Sequence, residues 1–144
     1  MRRLGHHLTG LGAGLIVAAG APPEAGLAVV GGWLGGTAPD WLEPKLFGRH
    51  LIPHRRVTHW LMGWAVLLGL AVYYKLGYLP LGFALGGLVH CLVDLPNPMG
   101  VPVIHPWRRS SLNWWRSGQY DWLISAVFLG VGAACVGWSP ALGA

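Results

Sequence analysis

Charge is scarce in this chain of 144 residues. Asp, Glu, Lys and Arg make up 10% of it, only five residues are acidic, and 53% are hydrophobic, with a mean hydropathy of +0.48. A domain surrounded by water carries about 25% charged residues, so a soluble globule is the weaker reading and a helix bundle in lipid the stronger. Cysteine is equally scarce, with two copies. Cys91 falls near one end of the fourth apolar segment and Cys135 towards the far end of the fifth, a placement that excludes a disulfide and leaves both as small packing residues. The chain shows no internal repeat. It also has no nucleotide-type glycine loop, because its paired glycines are not followed by the lysine or acidic context such loops need. The length fits one domain, residues 1–144.

What the chain does have is apolar runs. Residues 57–76, 78–95 and 122–138 approach the roughly 20 residues of a spanning helix. Residues 8–21 and 25–38 are shorter, and Pro22-Pro23-Glu24 between them breaks any continuous helix, because proline supplies no amide hydrogen. A hairpin of two short, tilted or partly inserted helices is expected, the alternative being one kinked span. Met1-Arg2-Arg3 followed by residues 8–21 imitates a secretory leader. The adjacent His6 and His7, with glycines at 10, 12 and 14, suit retained helix packing better. The expected fold is therefore all-α, a polytopic membrane bundle of about five transmembrane or partly inserted helices. A long interfacial loop precedes the last of them.

With the hairpin, a count of crossings puts His6-His7, Asp40, His54 with His59, and His90 with Asp94 at one membrane face. Arg2, Arg3, Lys45, Arg49, Arg55, Arg56, Arg108, Arg109 and Arg116 fall there too, leaving Lys75 alone opposite. The positive-inside rule makes that face cytoplasmic. Orientation alone accounts for most of this charge, and nothing in it points to specific nucleic-acid binding. Glycines four apart (10 and 14, 31 and 35, 32 and 36, 82 and 86) clear grooves for neighbouring helices. The tryptophans near the same face read as an interfacial belt.

The candidate chemistry lies in the polar clusters. His90 and Asp94 are four residues apart, so they share one helix face and can share an ion; the bland reading is a mutual hydrogen bond or a helix end before Pro96. His54 and His59 are about 140 degrees apart on a helix, and meet only if His54 precedes it. Asp40 either bridges metals or caps its turn. His6 and His7 read alone as a solvated pair.

Taken in order, Gly5-His6, Pro39-Asp40, His54-Arg55-Arg56-Val57-Thr58-His59, His90 to Asp94, and the stretch Asn97 to Pro102 with Pro106 and Arg108 resemble a known family. It is the YdjM-like, LexA-regulated membrane-bound metal-dependent hydrolases of bacterial inner membranes, and the resemblance runs from Gly5 to about Arg109. One departure is Leu42, where the family pattern has a second aspartate; Glu43 stands next to it as a candidate substitute, and the departure leaves the number of metals open while favouring one.

The resemblance implies metal-dependent hydrolysis. His6, His54, His59, His90 and Asp94 would hold the ion or ions, and Asp40 would act as ligand, bridge or general base. Imidazole and carboxylate ligands without thiolates suit zinc, manganese or iron better than calcium or copper(I). Such an ion lowers the pKa of a water from about 15.7 towards about 7. Arg55, Arg108 and Arg109 are placed to grip a phosphate through paired hydrogen bonds, although topology alone explains them. A site at the lipid boundary suggests a phosphoester or similar group on an amphiphile, a soluble phosphodiester being equally compatible. A metal carrier and a structural or partner-binding membrane protein are the alternatives; a carrier needs a midplane site open to both sides.

Overall fold

The computed structural model describes residues 1–19, 21–43, 45–46, 49–50 and 55–138. Six α-helices dominate the described residues: α1 Arg3–Ala18, α2 Gly26–Gly35, α3 Ala38–Trp41, α4 Leu61–Tyr73, α5 Tyr78–Asp94 and α6 Asp121–Trp138. Short 3-10 turns lie at Pro23–Ala25 and Val57–His59. Two minimal antiparallel ribbons punctuate the loops. β1 Lys45–Leu46 pairs with β2 Arg49–His50, and β3 Val101–Pro102 with β4 Arg109–Ser110.

Several boundaries move from their expected places, each for a local reason. Helix α1 begins at Arg3, not residue 8, so His6 and His7 lie inside it. Gly5 and His6 bury against other elements, and that packing extends the helix past its apolar run. The expected helix 57–76 splits: a 3-10 turn holds Val57–His59, Trp60 is extended at φ −75, ψ 106, and α4 starts only at Leu61. Trp60 leaves helical geometry while its indole N–H donates to the Ile104 carbonyl at 2.9 Å. The helix expected over 25–38 stops at Gly35, and a separate short helix, α3, carries Asp40. Among the described residues, α6 alone is long and apolar enough by length and composition to cross a membrane; α4 and α5 are apolar but shorter.

Antiparallel packing of α1 on α2 gives the hairpin. A side chain added at Gly10 would strike the backbone of Gly32 and Gly36, and one at Gly14 that of Ala28 and Val29. The other flank of α2 packs as closely on α5, Gly31 against Leu79, Gly35 against Phe83, and Gly82 against Ala28. Small residues let three backbones approach within the reach of a single Cβ, which maximises dispersion contact where water is not expelled. Beyond this trio, α6 packs on α1 where Gly12 meets Phe128, and α4 on α5 where Gly87 meets the Trp64 ring. Val66, Val72, Val127 and Val131 point outwards, making the exterior apolar.

Candidate metal centre

The close α1–α2–α5 packing brings one end of each helix to a common point. His6 reaches it from the first turns of α1, Asp40 from α3, His59 from the turn before α4, and His90 with Asp94 from the last turns of α5. His6, His59, His90 and Asp94 are all fully buried. Two overlapping groups have metal-ligand spacing, His6 with His90 and Asp94, and Asp40 with His59 and His90, their ligand atoms within 4.8 Å of one another.

His90 is common to both. Its Nδ1 lies 2.8 Å from the Gly36 carbonyl oxygen. A carbonyl only accepts, so Nδ1 carries the hydrogen and Nε2 presents a lone pair. That Nε2 is buried without a hydrogen-bond partner. It stands 3.9 Å from Asp40 Oδ1 and 3.8 Å from Asp94 Oδ2. A buried lone pair facing two carboxylate oxygens is unfavourable by itself, and a cation among the three removes the conflict. The donor set therefore fits a divalent ion.

His59 is held from both sides, with Nε2 at 3.3 Å from Asp40 Oδ1 and Nδ1 at 3.3 Å from Glu43 Oε1. Glu43 Oε1 also accepts from the Thr58 hydroxyl at 3.3 Å and the Arg55 backbone N–H at 3.0 Å. Glu43, next to the Leu42 that departs from the family pattern, thus sits behind His59 and orients its ring. The His6 ring stacks on His90 with centroids 3.7 Å apart and planes 16° apart.

The two carboxylates differ in their surroundings. Asp94 Oδ1 meets the Met1 amino group at 2.5 Å, the Asn97 amide at 2.9 Å and His6 Nε2 at 3.5 Å, while Oδ2 pairs with Arg55 Nη2 at 2.6 Å. Asp94 is therefore already balanced by cations. Asp40 faces imidazoles. Burial raises its pKa, but the hydrogen bond with His59 and the neighbouring His90, His59 and His6 rings outweigh burial and hold the carboxyl at about 2.

Other expected residues are placed as follows. Arg55 is buried, with φ 58 in the left-handed region, its guanidinium engaged by Asp94. Arg108 and Arg109 are exposed in the loop that ends at β4. His7 turns away to stack on Trp33 with centroids 4.9 Å apart. His105 is exposed and accepts from the Trp107 backbone N–H at 3.3 Å. His54 lies outside the described residues. Cys91 donates to the His59 carbonyl at 3.4 Å and supplies no thiolate to the cluster. Sequence reasoning gave Asn97 no role beyond its place in the resembling stretch, and it missed the Met1 amino group.

No curated protein and no solved structure matches the chain. The family described as YdjM inner membrane protein matches it over residues 1–144. With that match running the length of a helical bundle whose buried polar residues converge on one point, the chain belongs to the YdjM inner membrane protein family.

Proposed function

We propose that this protein is a membrane-bound metal-dependent hydrolase acting on a phosphoester or similar group at the cytoplasmic face of the inner membrane. The observation that supports it most is the bare Nε2 of His90 between Asp40 and Asp94. Asp40, His59 and His90 hold the ion. Asp94, whose Oδ2 also faces the His90 Nε2, would balance the ion's charge, and His6 stacks on the His90 ring. Zinc suits this nitrogen and oxygen set best, with manganese or iron also compatible. When bound, the ion supplies a Lewis acid for the scissile group and lowers the pKa of a water towards about 7.

The residues do the positioning. Gly36 fixes the His90 tautomer and Glu43 the His59 ring, so both imidazoles reach the site already oriented, an arrangement that avoids reorganisation during reaction. Asp40, ionised at neutral pH and half-open to solvent, serves as ligand and as acceptor for the proton of the attacking water. In this reading the chain crosses the membrane several times, with α4 and α5 reached by local thinning of the bilayer. The basic residues keep the cluster on the cytoplasmic side.

Elemental analysis of detergent-purified protein should find a bound divalent ion. With zinc or manganese the protein should turn over a phosphoester, and His90→Ala should abolish both. An intact fold without any bound ion would end the hydrolase reading. Uptake of the ion into sealed vesicles would favour a carrier instead.

A further inference from the structure

Asp40 faces the imidazoles on one side and lines a cavity of about 240 Å³ on the other, with Arg3, Thr37 and Trp41 as the remaining wall. The cavity is smaller than the roughly 300 Å³ at which pockets for drug-sized ligands begin. It suits one small polar group, not a whole organic molecule. Arg3 is exposed, and its guanidinium makes no hydrogen bond or ion pair among the described residues, although it shares the cavity with a carboxylate. The Trp41 indole N–H likewise has no acceptor among the described residues, and the residue is 52% exposed. Arg55, by contrast, is bound to Asp94 and has no such freedom.

We infer that this cavity binds a phosphate group, with Arg3 as the residue that recognises it. The inference rests on the metal reading of Asp40. A guanidinium presents paired N–H donors matched to phosphate oxygens, and an ion on Asp40 cancels the carboxylate charge that otherwise repels an anion at the same wall. With an ion held on Asp40, a phosphate in the cavity would face the Arg3 guanidinium and the Trp41 indole that line the same wall. The same group can arrive on a soluble phosphoester or on a lipid head group, and Trp41 separates the two, since an exposed indole at the membrane boundary adds apolar contact for an acyl chain.

The test is a titration of detergent-solubilised, zinc-loaded protein with inorganic phosphate, glycerol 3-phosphate and dihexanoyl phosphatidic acid, alongside elemental analysis. Arg3→Gln should weaken all three by about tenfold to a hundredfold, with zinc content and thermal midpoint unchanged, and Arg3→Lys should restore part of the loss. A lipid source is indicated if phosphatidic acid binds more tightly than glycerol 3-phosphate and loses that advantage in Trp41→Ala; equal affinities indicate a soluble source. The phosphate titration is run whatever the zinc content. Equal affinity in Arg3→Gln and the parent, or no phosphate binding at all, overturns the assignment. Absence of bound zinc is read separately and counts against the metal centre.

Discussion

His90 donates its Nδ1 hydrogen to the Gly36 carbonyl at 2.8 Å, and this one bond ties the C-terminal end of α2 to the polar turn of α5. It also decides which imidazole nitrogen faces Asp40. Because the acceptor is a backbone carbonyl at a glycine packed against α1, the tautomer is set by helix packing and not by a side chain that mutation can remove.

The equivalent support for His59 is a side chain and so can be tested. Glu43→Gln removes the charge behind Nδ1 while keeping the shape. Zinc affinity should fall by about tenfold to a hundredfold, measured by competition with a chromogenic chelator. Asp40→Asn should fall further, since it removes a ligand.

Arg55 and Asp94 form a pair whose side chains are 9% and 1% exposed. Breaking a buried pair by removing one partner costs about 3 to 5 kcal/mol. Arg55→Leu should lie at or below the lower end, because the Met1 amine and Asn97 still hold Asp94. Denaturant unfolding in detergent should show the loss, while zinc stoichiometry stays unchanged if the ion rests on Asp40, His59 and His90.

Gly35→Val should be more disruptive than its size suggests. Its side chain would meet the Phe83 backbone across the α2–α5 contact, whereas one at Gly69 meets nothing within 4 Å. Overpacking of this kind costs about 1 to 3 kcal/mol. Thermal midpoint and zinc affinity should both fall for Gly35→Val, because the Gly36–His90 bond spans the same interface, and neither should change for Gly69→Val.

Metal retention should depend on pH, because imidazole and carboxylate ligands bind metal only when deprotonated, so chelator competition at decreasing pH should show zinc affinity falling. Asp40 titrates at about 2, below its ordinary 3.8. Its contribution to stability is present above about pH 4 and is lost as pH falls through about 2. A stability unchanged between about pH 4 and about pH 2 would contradict this reading of Asp40.

The proposed topology places Lys75 opposite the other basic residues. In a background with Cys91 and Cys135 replaced by Ala, Lys75→Cys should react with a membrane-impermeant maleimide added to spheroplasts, and Arg109→Cys only after lysis. Equal labelling of both from outside would refute the cytoplasmic placement.

Much of this arrangement was legible in the residues. Glycines 10, 14, 31, 35, 82 and 86 announced close helix contacts by spacing alone, and each sits in one. The His90 and Asp94 spacing likewise announced a shared helix face, which α5 provides. Other features were not legible. Leu61 starts α4 because Trp60 turns out of the helix towards Ile104, a partner 44 residues away. His6 read as one of a solvated pair, but the α1 contacts bury it against His90.

By itself, the sequence determined that this chain is helical, apolar on its outside and closely packed through glycine, because periodicity and side-chain size are local properties that any helix must obey. It also determined which polar residues were available for a site. Only the tertiary structure decided their roles. Asp94 is neutralised by Arg55 and the Met1 amine, Glu43 stands behind His59, and Asp40 alone opens onto a cavity with a guanidinium that makes no hydrogen bond or ion pair among the described residues. These roles depend on which charges meet across α1, α3, α5 and the turn before α4, and such meetings are set by the packing of distant segments, which no local pattern records.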